Sequence, residues 1–296
     1  MNHLEFGVLV ASLREDMRWT QAELAERSEL SLAIVNGIER GENRALLADD
    51  ALLQLANGLQ LTTLERREFM LAASDVTDKD LLRPDIGSPG RSFDIETFLL
   101  ELGRDISVLR LPVFVTDAFC DILLANHCAV AFYDPPASLV GESSRMVGGF
   151  NQIQLVFHRD SNFRQLVGED DWDRLALINI RHFRRRTMRF RHKSYYSALM
   201  KQFLNTRKYP YFERYWRKVA FEISDDFSVP IASANARNKH AFVETESLIA
   251  LTPHGELYLH QLLPVNKATS RRVTGILNRV GSGFTQFAPL PDRRKQ

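Results

Sequence analysis

Cysteine is nearly missing from this chain: Cys120 and Cys128 are the only two among 296 residues. Both lie in apolar stretches with no His/Asp pattern beside them, so neither a disulfide framework nor a thiol nucleophile is expected, and two thiols cannot supply a zinc cluster. The eight histidines show no metal-ligand spacing, and no metal is expected. No apolar run approaches the roughly 18 residues of a membrane helix. The first residues lack the basic-then-apolar pattern of a secretion signal, because Glu5 interrupts it. A phosphate-cradling glycine loop is also wanting, since the Gly281–Gly283 stretch follows no strand pattern. His158-Arg159-Asp160 has the form of a kinase catalytic triplet, but the asparagine five residues after the aspartate is absent. These absences argue against an enzyme, a cofactor, a secreted scaffold and a membrane protein. They leave a cytoplasmic chain whose 45% apolar and 25% charged residues are those of a globular protein with a real core.

Lysine is absent from the first 74 residues, which hold 7 Arg against 12 Asp plus Glu, a formal charge of −5. The opposite imbalance comes later. From Arg174 to Phe212 there are 11 Lys plus Arg and no acidic residue. Such a run is most simply a solvated face. It could also add phosphate contacts, dock on the acidic first part and hold it off DNA, or turn one arginine inward to bind a carboxylate.

What is present at the start is a pair of short capped helices. In TQAELAERSELSLAIVNGIERG (Thr20 to Gly41), Thr20 and Glu23 have capping-box spacing, Ser31 is a second N-cap, and Gly41 a C-terminal stop. Val35 and Ile38 repeat on one helix face. Two short helices around a tight turn form a helix-turn-helix, whose second helix enters the DNA major groove. Residues 6–74 resemble the XRE (Cro/C1-type) DNA-binding domain, through TQAELAERS, the IERG ending and LANGLQL (Leu55 to Leu61). The resemblance implies a buried ion pair between Arg14 and Glu39. It also implies DNA contacts at Gln21, Ser31, Leu32, Ala33, Asn36, Gly37 and Arg44. The chain departs from that family where Glu29 occupies a turn position usually held by glycine. Leu32, Ala33 and Gly37 stand where base-reading polar residues are usual, and they can touch a thymine methyl but cannot form bidentate hydrogen bonds.

Ser74 to Arg91 is rich in Asp, Gly and Pro and reads as a linker. The expected domains are therefore 1–74, a linker at 75–91, and a second domain at 92–290. The second opens with an amphipathic helix over 93–108. Strands follow at 111–116 and 121–125, then a helix at 127–133 capped by Asn126. A helical middle follows at 171–189, 195–205 and 211–219. A hairpin of 240–251 with 256–263 turns at Pro253 and Gly255. A helix over 268–279 ends the pattern. The fold class is an all-α helix-turn-helix domain followed by an α+β domain with an antiparallel sheet and flanking helices. LPVFVTDAFCDILLANHCAVAFYD resembles the opening of a PAS-type sensor. With NQIQLVF, DWDRLALINIRHFR and YPYFERYWRKV, the arrangement is similar to MmyB-like transcription regulators, an XRE domain followed by a PAS-like ligand-binding domain. The position of the third strand, between 221 and 239, is left open.

That resemblance implies an effector pocket. Phe114, Phe132, Phe157, Phe183, Phe190, Tyr211, Phe212 and Trp216 are its candidate lining, each with core filling as the plainer role, and Arg184 is the candidate carboxylate binder. The expected protein is a dimeric, DNA-binding transcription regulator responding to a small hydrophobic effector such as a fatty acid. Its alternative is a protein-interaction or acyl-ligand-binding module with a degraded DNA-binding head. The acidic balance predicts that residues 1–74 alone bind duplex DNA weakly, rescued by dimerisation; nanomolar affinity in a fluorescence titration of that fragment would contradict this.

Overall fold

Four helices of the first domain start where a side chain takes up their free N–H groups. α1 (His3–Asp16) begins with a capping box between Asn2 and Glu5, and α2 (Gln21–Arg27) with one between Thr20 and Glu23. α3 (Leu32–Glu39) has Ser31 as its N-cap. α4 (Asp49–Gly58) follows, and α5 (Thr63–Ala73) begins with a capping box between Thr62 and Glu65. The structure is a computed structural model that describes residues 1–42, 49–74, 94–143, 149–221, 231–234, 241–252 and 255–287. Arg44 and the expected linker at 75–91 lie outside the described residues. Phe6, Leu9, Val10 and Leu13 of α1 pack with Leu24, Val35, Ile38, Leu55 and Phe69 to form the core of this head. Gly7 allows α1 to approach the end of α3, because a Cβ there would stand 2.5 Å from the Ile38 carbonyl oxygen.

The second domain is built on a sheet of order β3-β4-β5-β1-β2-β6, with antiparallel neighbours throughout. Helix α6 (Ile95–Ser107) precedes β1 (Val113–Asp117) and β2 (Ile122–Asn126). Then come α7 (His127–Tyr133), α8 (Ala137–Ser143), α9 (Gln152–Phe157), α10 (Phe163–Val167) and the long α11 (Glu169–Arg186). A 3-10 turn (Met188–Phe190) leads to α12 (Ser194–Phe203) and α13 (Phe212–Phe221). β3 (Ile231–Ala234), β4 (Ala241–Thr252), β5 (Gly255–Pro264), α14 (Lys267–Val280) and β6 (Phe284–Gln286) complete the chain. The expected strands and helices are present with ends shifted by a few residues. Beyond them lie α8 and α10, and the short edge strands β3 and β6.

Both faces of β1 and β2 are buried. By the two-residue alternation of a strand, Val113 and Val115 face α6, while Phe114 faces the helical layer. Asn126 locks the strand-to-helix corner: its Oδ1 accepts from the Val113 N–H at 3.1 Å and the Ala129 N–H at 2.8 Å, and its Nδ2 donates to the Leu111 carbonyl at 2.7 Å. The expected β4–β5 hairpin closes with Thr252 paired to Gly255, whose φ of +111° suits glycine.

Glu29 stands in the turn between α2 and α3 with φ of +54°. A left-handed conformation costs a residue with a side chain about 1–2 kcal/mol, whereas glycine adopts it freely but loses about 0.5–1 kcal/mol of unfolded-state freedom. Glu29→Gly is therefore expected to stabilise the protein by about 0.5–1 kcal/mol in urea unfolding. An unchanged or lower midpoint would mean that the glutamate side chain contributes more than its backbone costs.

Candidate functional site

The face of the head expected to read DNA is formed by the starts of α2 and α3. Ser31, Leu32 and Ala33 are exposed, Leu32 by 50%. Asn36 and Gly37, further along, are half-buried. Arg14 Nε donates to Glu39 Oε1 at 2.7 Å and Nη2 to Oε2 at 3.0 Å, while Nη1 reaches the Trp19 carbonyl at 2.7 Å. This fork ties α1 to the end of α3 and to the entry of α2. Gln21 Nε2 donates to the same Glu39 carboxylate at 2.8 Å, so the ion pair also orients the side chain at the start of α2. Ser31 Oγ accepts the Ile34 N–H at 3.2 Å.

The centre of the basic run, from Arg184 to Arg191, is not a solvated face, whereas Lys193, Lys201 and Arg207 are exposed. Arg184, Arg186, Arg189 and Arg191 are buried, and three of them reach the head. Arg184, expected to meet an effector carboxylate, instead donates from Nε to Glu65 Oε1 at 2.6 Å and from Nη1 to Asp16 Oδ2 at 3.1 Å. Arg191 Nη1 donates to the same Asp16 oxygen at 2.5 Å, and Trp216 Nε1 to Asp16 Oδ1 at 3.0 Å. Arg189 pairs with Glu68 at 2.9 Å and with Glu256 of β5 at 3.1 Å. Met188, fully buried, enters the core of the head. The intervening residues turn the other way: Arg186 pairs with Glu246 of β4, and Arg185 approaches it at 3.4 Å. The physical reason for the corrected role of Arg184 is charge balance: the buried guanidinium needs opposite charge, and Glu65 and Asp16 of the head supply it.

The expected aromatic lining also needs correction. Phe157 packs among Trp172, Phe212 and Tyr215, with ring centroids 5.8 Å apart in each case. Phe183 meets Phe203 at 5.7 Å and Trp216 at 6.0 Å, and Phe212 stacks on Trp216 at 5.8 Å. Phe132 is held by Phe242 at 5.4 Å, and Phe190 rests on Phe119 at 5.2 Å. Tyr211 is 37% exposed and lies against Trp172. These rings form a continuous core because each fills the space beside the next. Of the aromatic set, Phe114 alone borders the sensor's apolar crevice, which Ile122, Ala125, Tyr133, Phe150 and Phe287 share with it. That crevice has a volume of about 20 Å³, room for about one water molecule. Sequence reasoning missed its other residues, which look like ordinary strand and helix core positions. On its sheet side, Phe114 stacks on His260 at 4.4 Å. His260 is held by Glu244 at 2.9 Å and Thr116 at 3.0 Å, and burial pushes its pKa down.

A second hollow, of about 890 Å³, opens between the two domains. α1 and α3 form one wall and α12 the other. Among the described residues there is no cluster of His, Cys, Asp and Glu able to hold a metal ion.

Burial raises the pKa of Glu65, but the Arg184 charge and the Thr62 N–H outweigh it and leave the group below its ordinary value. Its contribution is therefore present above the usual glutamate range and is lost as pH falls through the lowered folded value. Removing one partner of a buried pair costs about 3–5 kcal/mol. Because Arg191 still neutralises Asp16, Arg184→Ala is expected to cost about 3 kcal/mol, and calorimetry should show the head melting separately from the sensor. A single transition at the wild-type temperature would mean that this seam adds nothing.

A scan against protein-family models matches residues 10–65 to the helix-turn-helix family and residues 107–274 to the MmyB-like transcription regulator ligand binding domain. A comparison with curated proteins finds no match. No helix among the described residues is long and apolar enough to cross a membrane. With a helix-turn-helix head and the ligand-binding match spanning more than half of the sequence, this chain belongs to the MmyB-like transcription regulator family.

Proposed function

We propose that this DNA-binding regulator works in the cytoplasm as a homodimer. Each head places the start of α3 in one major-groove half-site, and each sensor answers to a small hydrophobic effector, a fatty acid being the leading class. The observation that carries the reading is the exposure of Ser31, Leu32 and Ala33 on a helix whose two ends are pinned, by the Ser31 cap and by the Arg14–Glu39 fork. Rigid presentation of a helix start is what groove docking requires. Two-fold pairing of heads would supply contacts that one acidic head lacks. The effector reading is supported by the hydrocarbon lining of the crevice beside Phe114 and Phe287, where an acyl chain would meet no polar group apart from the Tyr133 hydroxyl. A volume of about 20 Å³ requires the lining to part before a chain can enter. Tyr133 and Phe287, from α7 and the end of the described chain, are the natural movers.

One observation favours the alternative, a protein-interaction module. Leu32 and Leu53, both on the head, are about half exposed, and neither can donate a hydrogen bond to a base. Steep weakening of a gel shift with salt separates DNA from a protein partner.

Native mass spectrometry of freshly purified protein tests the proposal directly. A dimer carrying an apolar adduct that is released on denaturation is the expected result. Monomer at micromolar concentration would remove the homodimer. Protein that is free of adduct, and whose melting temperature is unmoved by a series of saturated fatty acids, would remove the effector class.

A further inference from the structure

Phosphate contacts supply most of the affinity of a DNA-binding domain, and they need cations. The head has no lysine in its first 74 residues and carries −5. Its docking on the sensor changes that balance. Asp16, Glu65 and Glu68 are held by Arg184, Arg191 and Arg189, and Glu5 lies 3.9 Å from Lys193. The sensor grips the end of α1 and the α5 side of the head and leaves Ser31, Leu32 and Ala33 exposed. The docked arrangement therefore does not cover the DNA-reading face.

The interdomain hollow runs alongside that face. Asn36 and Arg40, one turn apart at the end of α3, line one wall, and Gln21 stands beside them. Ser197, Met200, Lys201 and Leu204, one face of α12, line the other. The carboxylates between the walls are engaged: Asp16 by the sensor's arginines and Glu39 by Arg14 and Gln21. Glu15, at the rim, is 3.7 Å from Arg14. Arg40 is 62% exposed on its side chain, with Glu42 at 3.6 Å. Lys201 is exposed and makes no ion pair among the described residues. The two walls thus present one outward-facing cation each, on either side of an 890 Å³ channel beside the recognition helix.

We infer that α12 of the sensor is part of the DNA interface: Lys201, facing Asn36 and Arg40 across the hollow, holds the phosphate backbone that flanks the half-site entered by α3. Sequence-specific contacts remain with the head. The sensor supplies charge that the head lacks, and it does so only while docked. This rests on the reading of the head as a DNA binder.

The test is the salt dependence of full-length protein binding to a fluorescein-labelled, mixed-sequence DNA duplex. Each phosphate contact contributes about 0.9 to the slope of log K against log salt. Lys201→Ala is expected to lower the slope by about 0.9, Arg40→Ala by a similar amount, and the double variant by about twice that. Arg207→Ala, an exposed cation that does not line the hollow, should leave the slope unchanged. All three positions tested are exposed enough for the variants to fold. A wild-type slope for Lys201→Ala overturns the inference. Tighter binding by that variant also overturns it and makes α12 an obstruction. An equal fall for Arg207→Ala means that the effect is diffuse charge, and the interface falls with it. Wild-type protein that shows no salt-dependent binding would remove the DNA reading itself, a result distinguishable from the others.

Discussion

Asp16, at the last turn of α1, is the point on which the two domains are registered. Two arginines and an indole N–H from the sensor converge on its carboxylate, from Arg184, Arg191 and Trp216. Its side chain is 11% exposed, and the side chains of Arg184 and Arg191 are 3% and 0% exposed. Charges so far from water gain little in net stability from being paired, but each becomes costly when a partner is removed. Such a cluster therefore works as a lock. It tolerates one relative placement of head and sensor and penalises neighbouring ones, because a shift of a few ångströms leaves a buried charge unmatched. Glu65 serves two masters in the same way: one oxygen accepts the Thr62 N–H that starts α5, and the other accepts from Arg184. The local helix start and the domain docking thus share a single carboxylate.

The head was legible in the sequence because its signals are local. Caps, a three-residue apolar spacing and a stop glycine fix α2 and α3 without reference to anything distant. The sensor was legible in outline for a similar reason. Asn126 and the β4–β5 turn punctuate elements that alternate or repeat. β3 and β6 escaped because three- or four-residue edge strands carry too little pattern, and their pairing is decided by the strand alongside. The effector cavity was illegible on principle. A phenylalanine that lines a void and one that fills a core are the same residue. Phe157, Phe183 and Phe212 prove to be core because other rings occupy the space around them. The charge asymmetry of the chain was the better clue. The contacts of its docking reading are present at the seam, but Ser31, Leu32 and Ala33 stay exposed, which does not fit a head held off DNA, and the sequence could not say which arginine would meet which carboxylate.

The same stretch of chain faces both ways, and this constrains how a signal can pass. From Arg184 to Arg191, successive residues touch the head (Arg184, Met188, Arg191), the sheet (Arg185, Arg186), or both (Arg189, between Glu68 and Glu256). Arg186 also donates to Thr116 at 3.2 Å, and Thr116 meets His260, on which Phe114 stacks. A packed chain of contacts therefore runs from the crevice to the seam: Phe114, His260 and Thr116, Arg186, then the backbone turn that carries Met188 into the head. Contiguity by itself does not make a pathway; an element with two discrete arrangements is needed. The end of α11 and its 3-10 turn are the candidate for such an element, because buried ion pairs have few alternative partners and cannot yield gradually.

The energetic requirement follows from the closed state of the crevice. An effector shifts the equilibrium only by the difference between its affinities for the open and closed forms. A volume of about 20 Å³ admits no acyl chain, so such a ligand would bind the open form alone, and its differential affinity would be as large as its affinity. Each buried methylene contributes about 0.8 kcal/mol. A chain of several methylenes would then offset both the parting of the lining and a partial loss of the seam's ion pairs. The lining reaches the seam through Phe114, His260, Thr116 and Arg186, so a change at the crevice meets the end of α11 through those contacts. The acyl chain of such a ligand carries no charge to compete for Arg184 or Arg191, so its burial in the crevice does not by itself dissolve the lock that keeps the head in register.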